Sequence, residues 1–248
     1  MSAVTPLSRH SDAAGLDRRL GFAPWQLSGT VVGPLLNDTA SLAALGEAAH
    51  AAPYKAPPRA AVLYVKPRNT LAGSGASASV PAGAPGLEVA ATLGLVIGRT
   101  ACRVRAGDAP AHTAGWVLVA DLCVPHTSFY RPSVRFRARD RTCLIGPAIA
   151  ATMAAADATA FAPEQARLRV SIDGQLVHEL TLAGMQRPAA QLLEHVTEFM
   201  TLHPGDVLLL GLRHGAPLAR AGQHFAVACE ELGRLEGRVQ SEPDEVPA

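Results

Sequence analysis

Two acidic residues sit inside apolar runs that read as β-strands. Glu88 lies near the start of "GLEVAATLGLVIGRT" (86–100), and Asp121 interrupts "WVLVADLCVP" (116–125). They are either two arms of a metal site, or one remnant and one bystander. Asp121 is flanked by Val117, Val119 and Leu122 and is expected to be at least partly buried. A buried carboxylate needs a partner or a raised pKa. That partner could be a cation, Arg137 or backbone donors. Lys66, Tyr130, Arg131 and Arg137 are the candidate substrate-binding residues, since Lys66 and Arg137 suit the carboxylates of a dianionic substrate. A structural alternative is preferred for Lys66 and Arg131: Lys66 fixes the turn before Pro67, and Arg131 pairs with an acid at an interface. His112, His126, His178 and His195 stand at no ligand spacing and default to solvated or packing roles. His126, five residues past Asp121, is the one to consider as a replacement base or ligand.

The elements around these residues are mostly short strands. Strands are predicted at 29–36, 60–67, 88–97, 100–105, 116–124, 142–151, 166–172 and 175–182, with one or two more in 223–240. "RLRVSIDGQLVHEL" holds Asp173-Gly174 between alternating runs, a strong hairpin signal. "DTASLAALGEAAHAA" (38–52) and "RPAAQLLEHVTEFMTL" (187–202) are the two helix candidates. The second carries Leu192, Leu193, Val196, Phe199 and Met200 on one face. "HPGDVLLLG" (203–211) is a turn into a strand. "AGSGASASVPAGAPG" (72–86) reads as a surface loop between strands. Strands that do not alternate with helices disfavour a doubly wound nucleotide-binding sheet. The expected class is α+β, mainly β.

Composition narrows the options. With 48% hydrophobic and 17% charged residues in 248, a packed core is expected. Aromatics make up only 4%, so Ala, Val and Leu must build that core. A formal net charge of +1 gives no electrostatic case for nucleic acid or an anionic membrane as partner. No apolar run approaches membrane-spanning length, and the first residues show no secretory h-region. Cys102, Cys123, Cys143 and Cys229 form no CxxC pair, so reduced thiols in a cytoplasmic protein are expected.

Five stretches, in order, resemble the fumarylacetoacetate hydrolase family. "VLYVKPRNTLAGSG" is similar to its F-x-K-P-x-N-T/S-L opening. "LGLVIGRTACRVRAGDAPAHTAGWVLVADL" is similar to its E-L-x-V-V-I-G block, which closes on N-D. "CLIGPAIA", "TLHPGDVLLLG" and "GRLEGRVQSE" are similar to its later segments. "PYKAPPRAAVLYVKPRNT" and "SFYRPSVRFRARD" further resemble the branch that isomerises and decarboxylates intermediates of homoprotocatechuate (4-hydroxyphenylacetate) catabolism. That branch consists of two homologous halves, sometimes on separate chains, and this chain resembles the first half.

The resemblance implies a mixed β-sheet rolled into a barrel-like sandwich with few helices. The organisation would be an N-terminal tail (1–26), a small cap segment (27–60), the family domain (61–242) and a C-terminal tail (243–248). It also implies Mg²⁺ or Mn²⁺ held by three carboxylates, which chelates a small dicarboxylic 2-oxo or 2-hydroxy acid and stabilises its enolate.

Carried over residue by residue, that site is depleted. The family's two glutamates fall on Ala90 and Thr92, and its aspartate falls on Asp121, preceded by Ala120 instead of Asn. The lid His and Glu fall on Ser41 and Ala44. An Arg becomes Pro125, a Lys becomes Arg137 and a Thr becomes Leu212. Glu88 shares the strand face of positions 90 and 92 but lies about 7 Å along the strand from position 90. Three readings remain. The chain is a subunit with a degenerate site serving a homologous catalytic chain, as a homodimer or hetero-oligomer. It is an enzyme whose cation site is completed by Glu88. Or it is a small-molecule binding protein that has lost the chemistry. The first is the expectation.

Overall fold

The apolar runs form strands close to their predicted limits. The computed structural model describes residues 29–129, 133–150 and 161–243, so the 1–26 tail and most of the 243–248 tail lie outside the described residues. In chain order the first elements are β1 (Val31–Leu35), α1 (Thr39–Leu45), β2 (Val62–Lys66), β3 (Leu71–Ala72), β4 (Ser77–Val80) and β5 (Leu87–Ile97). Then come α2 (Ala109–His112), β6 (Thr113–Cys123), α3 (Val134–Arg137), β7 (Cys143–Ala150), β8 (Arg167–Ile172) and β9 (Gln175–Thr181). The last are α4 (Ala189–Thr197), β10 (Val207–Leu209), β11 (Leu218–Ala219), β12 (His224–Cys229) and β13 (Gly233–Ser241).

One sheet runs β2-β1-β10-β5-β6-β7-β3, with β11 added on β5; the second runs β4-β13-β12-β8-β9. The two ends of the first sheet, β2 and β3, are joined by only residues 67–70. Laid flat, six inter-strand gaps would separate those ends by roughly 29 Å. The connection from Lys66 to Leu71 reaches about 18 Å at most. The sheet therefore has to curl, which carries β2 over the face of β6. β1, from the 27–60 segment, is an internal strand of this same sheet, parallel to β10 and antiparallel to β2.

Alternation then sorts the side chains. Along β5, Leu93, Leu95 and Ile97 face outward into the larger core against the second sheet and α4. The opposite face belongs to a smaller cluster inside the curl, with Tyr64, Val96, Val117, Val119, Cys143 and Ile145. Asp121 and Ala90 lie on this inner face by the same period of two.

Several expectations are corrected. The 100–105 strand is not one: Ala101 makes only an isolated bridge to Leu202, and Arg103 turns at φ 52°. Its donors dock instead on the end of α4, Arg103 N on Thr197 O at 2.7 Å and Val104 N on Thr197 Oγ1 at 3.0 Å. That docking also closes α4 early. Leu192, Leu193 and Val196 are buried as the stripe requires, but Phe199 lies beyond the helix and is 73% exposed. The first helix is likewise shorter, capped by Asp38 and continued by a 3-10 turn at Gly46–Ala49. The 72–86 stretch contributes β4, which pairs in parallel with β13 and buries Ala78. The Asp173-Gly174 hairpin forms as expected, with both residues at positive φ (49° and 81°), as a tight hairpin turn requires. Among the described residues no helix is long and apolar enough to cross a membrane.

Candidate functional site

Asp121 is fully buried, and the curl supplies its partners. β2 presents Tyr64 and Lys66 on its inner face, two residues apart. The Lys66 ammonium lies 2.7 Å from Asp121 Oδ1, an ion pair with neither side chain exposed. Its well-aligned hydrogen bonds go to carbonyls instead: Leu122 O at 3.0 Å, Arg137 O at 2.8 Å and Thr142 O at 3.3 Å. The Tyr64 hydroxyl donates to the other carboxylate oxygen, Oδ2. Burial raises the Tyr64 pKa well above the ordinary phenol value and the Asp121 charge raises it further, so the ring stays a neutral donor. Both oxygens of Asp121 thus face internal donors. Lys66, offered above as a substrate-binding residue, directs its whole ammonium inward.

The strand register fixes what stands opposite. Ala90 pairs with Asp121, Thr92 with Val119, and Glu88 with Cys123. Thr92 is buried and its hydroxyl donates to Gly211 O at 2.7 Å. Half-buried Glu88 accepts from the Cys123 thiol at 3.3 Å. Burial, with Glu88 and Asp121 adding, pushes that thiol up to about 12, so Cys123 is a neutral donor and a poor nucleophile. The two carboxylates here thus belong to residues 88 and 121, two register positions apart. Among the described residues, no group of three His, Cys, Asp or Glu could hold a metal ion.

Arg137, the last residue of α3, is 5% exposed. Its guanidinium lies 5.1 Å from the centre of the Tyr64 ring, a cation–π distance. Burial works against its charge, but Cys123, Asp121, Tyr64 and Glu88 raise its pKa on balance. Nε and Nη1 are buried without a hydrogen-bond partner among the described residues. His126 stacks on Phe136 at 5.5 Å, and its pKa is lowered, first by burial and then by the Arg137 charge. Neutral imidazole suits the packing role expected for it. His195 is exposed on α4, where it accepts from Arg187 Nε at 3.1 Å. Tyr130 and Arg131 lie outside the described residues.

The residue that sequence reasoning missed is Tyr64. The opening pattern of the family, as quoted above, has Phe at this position. The added hydroxyl occupies Asp121 Oδ2. The signal was available: Tyr64 shares the strand face of Lys66 by a period of two. What was hidden is the curl that brings that face over β6.

A glycine makes room for this contact. Gly33 stands opposite Tyr64 across β1 and β2. A Cβ at Gly33 would come within 2.9 Å of Leu209 Cβ and 3.0 Å of the Tyr64 hydroxyl. Gly33→Ala is therefore expected to lose about 1–3 kcal/mol in chemical denaturation, the usual cost of overpacking. Adding Tyr64→Phe should recover part of that loss. Full additivity of the two changes would show that the hydroxyl is not what Gly33 accommodates.

Comparison with known proteins gives a consistent result. Residues 30–240 match the family described as fumarylacetoacetate (FAA) hydrolase C-terminal. The 4-hydroxyphenylacetate degradation bifunctional isomerase/decarboxylase of Escherichia coli is 37% identical over 216 residues, covering 87% of this chain and 48% of that protein. The homoprotocatechuate catabolism bifunctional isomerase/decarboxylase of Escherichia coli is 36% identical with the same coverage. The chain thus spans about half the length of the curated relatives it matches. The crystal structure of 5-carboxymethyl-2-hydroxymuconate delta-isomerase from Mycobacterium smegmatis superposes with a TM-score of 0.69 at 24% identity, over 88% of this chain and 81% of that one. Curled sheet, ordered motifs and matched residues together place this chain in the fumarylacetoacetate hydrolase family.

Proposed function

We propose that this chain is a subunit of an aromatic-catabolic assembly that isomerises 2-hydroxyhepta-2,4-diene-1,7-dioate and decarboxylates 5-carboxymethyl-2-oxo-hex-3-ene-1,7-dioate. Its own metal site is lost, and a homologous chain carrying the full carboxylate set performs the chemistry. The names of the isomerase/decarboxylase relatives support the reaction class. The observation that carries the lost site is the state of Asp121: one oxygen against Lys66, the other taking the Tyr64 hydroxyl, and Ala90 across the register. A hard divalent ion needs several fixed oxygen ligands and open positions for substrate. Mg²⁺ and Mn²⁺ do not fit a lone, doubly engaged carboxylate, so no step is routed through a metal on this chain.

Two measurements test this. Calorimetric titration of the purified chain with Mn²⁺ or Mg²⁺ is expected to give no binding heat at about 1 mM, where a multi-carboxylate site would be saturated. Decarboxylase activity is expected to be absent from the chain alone and to rise when a homologue with all three carboxylates is added. Metal-dependent turnover by this chain alone would overturn the proposal.

A second reading, a binding protein that keeps the pocket without the chemistry, is favoured by one observation: the unpaired guanidinium of Arg137.

A further inference from the structure

Four arginines crowd the stretch that closes over the Lys66–Asp121 pair. Arg135 and Arg137 lie on α3, and Arg139 and Arg141 follow in the connection to β7. The inner side of this stretch is tied to the site. Lys66 holds the Arg137 carbonyl at 2.8 Å, and the Thr142 hydroxyl donates to Arg139 O at 2.6 Å. The outer side is short of anions. Asp140 already accepts from Asn69 Nδ2 at 2.6 Å. Arg135 and Arg141 are exposed, and among the described residues neither guanidinium has a hydrogen bond or an ion pair. Like charges this close repel one another, and an anionic segment laid across them would relieve that repulsion.

The first contact of such a segment is in place. Just past β13, Glu242 Oε1 lies 2.6 Å from Arg139 Nη2, with both side chains only partly exposed. The Glu242 N–H still donates to Val80 O at 3.0 Å, so the chain is held beside β4 up to this point. The residues that follow are Pro243, Asp244, Glu245, Val246 and Pro247. We infer that this acidic segment docks in cis on the outer side of α3 as a strap, with Asp244 and Glu245 on the guanidinium groups of Arg135 and Arg141. The reach suffices: four residues beyond Glu242 span up to about 14 Å, and α3 itself rises only about 6 Å. Val134, 68% exposed at the start of α3, offers Val246 an apolar surface. A single exposed ion pair contributes little, but here one end is already fixed and the pairs form an arginine–carboxylate network. Pro243 and Pro247 restrict the undocked chain, which lowers the entropy lost on docking. The strap would press α3 from outside while Lys66 holds it from inside, so the chain end and the buried pair grip the same short helix.

The test is nitrogen-15 relaxation of the full chain. At an ionic strength of about 10 mM, the Glu245 amide is expected to have an order parameter of about 0.8, near that of rigid backbone. At about 1 M salt, which screens exposed charges, it should fall below about 0.6. Arg135→Gln with Arg141→Gln should produce the same fall at low salt. The helix supplies a second readout. The Ala138 N–H donates to Val134 O at 2.8 Å across α3. Asp244→Asn with Glu245→Gln is expected to speed its hydrogen exchange by about fivefold, the scale of two exposed ion pairs. A charge swap, Arg135→Glu and Arg141→Glu with Asp244→Lys and Glu245→Lys, should restore both readouts. A wild-type Glu245 amide below about 0.6 at low salt overturns the inference, as does order that ignores salt or the two arginines. Order that fades on dilution puts the segment on a second copy and overturns docking in cis. Should the arginine variants fail to fold, the salt and dilution series on the wild type decide.

Discussion

Lys66→Met is expected to cost about 3–5 kcal/mol of folding stability, and Asp121→Asn clearly less, although both break the same ion pair. The asymmetry follows from what each partner keeps. Without Lys66, the fully buried Asp121 retains only the Tyr64 hydroxyl. Three carbonyls, of Leu122, Arg137 and Thr142, also lose their donor. Without the Asp121 charge, Lys66 still has those carbonyls, and an amide at 121 still accepts from Tyr64; the expected loss is about 1–3 kcal/mol. The double variant should lose well under the sum of the single losses, because a buried pair replaced as a unit no longer leaves an uncompensated charge. Urea denaturation of the four proteins measures this. Equal small losses below about 1 kcal/mol for both single variants would mean that the pair is hydrated.

The frame of the site was readable from the sequence because it depends on local periodicity. Strand alternation put Glu88, Ala90 and Thr92 on one face, and the register then set Ala90 opposite Asp121. The Asp173-Gly174 hairpin and the buried stripe of α4 rest on equally local signals. What could not be read is non-local. Lys66 meets Asp121 across 55 positions of chain only because the sheet curls, and that curl follows from a short link between strands at opposite ends of the pairing order. Local signals therefore offer Asp121 a cation, Arg137 or the backbone as partner, and give the Lys66 ammonium to substrate or to a turn. The same blindness to tertiary pairing explains β4. Small residues at 77–80 read as loop by composition, yet their backbone is needed to extend the second sheet beside β13. It explains 100–105 too, where the Arg103 and Val104 amides dock on the end of α4.

If substitution at two positions removed the metal, putting carboxylates back should restore it. Ala90→Glu with Thr92→Glu places two acids on the inner face of β5, one of them directly across from Asp121. In the absence of metal this variant should be less stable than the wild type: it crowds like charges into a buried patch, and it removes the Thr92 hydrogen bond to Gly211 O. Mn²⁺ should then reverse the penalty. A ligand at about 100 times its dissociation constant stabilises the folded state by about 2.7 kcal/mol, so the variant's denaturation midpoint should climb with Mn²⁺ while the wild type's stays flat. Tyr64→Phe supplies a second control. Alone it should give no response to Mn²⁺, because freeing Asp121 Oδ2 still leaves one carboxylate. Added to the two glutamates it should tighten Mn²⁺ further, because the freed oxygen becomes a ligand. A wild type stabilised by Mn²⁺ as strongly as the variant would show that the site was never lost. A folded triple variant blind to Mn²⁺ would show that residues 90, 92 and 121 do not converge on one point.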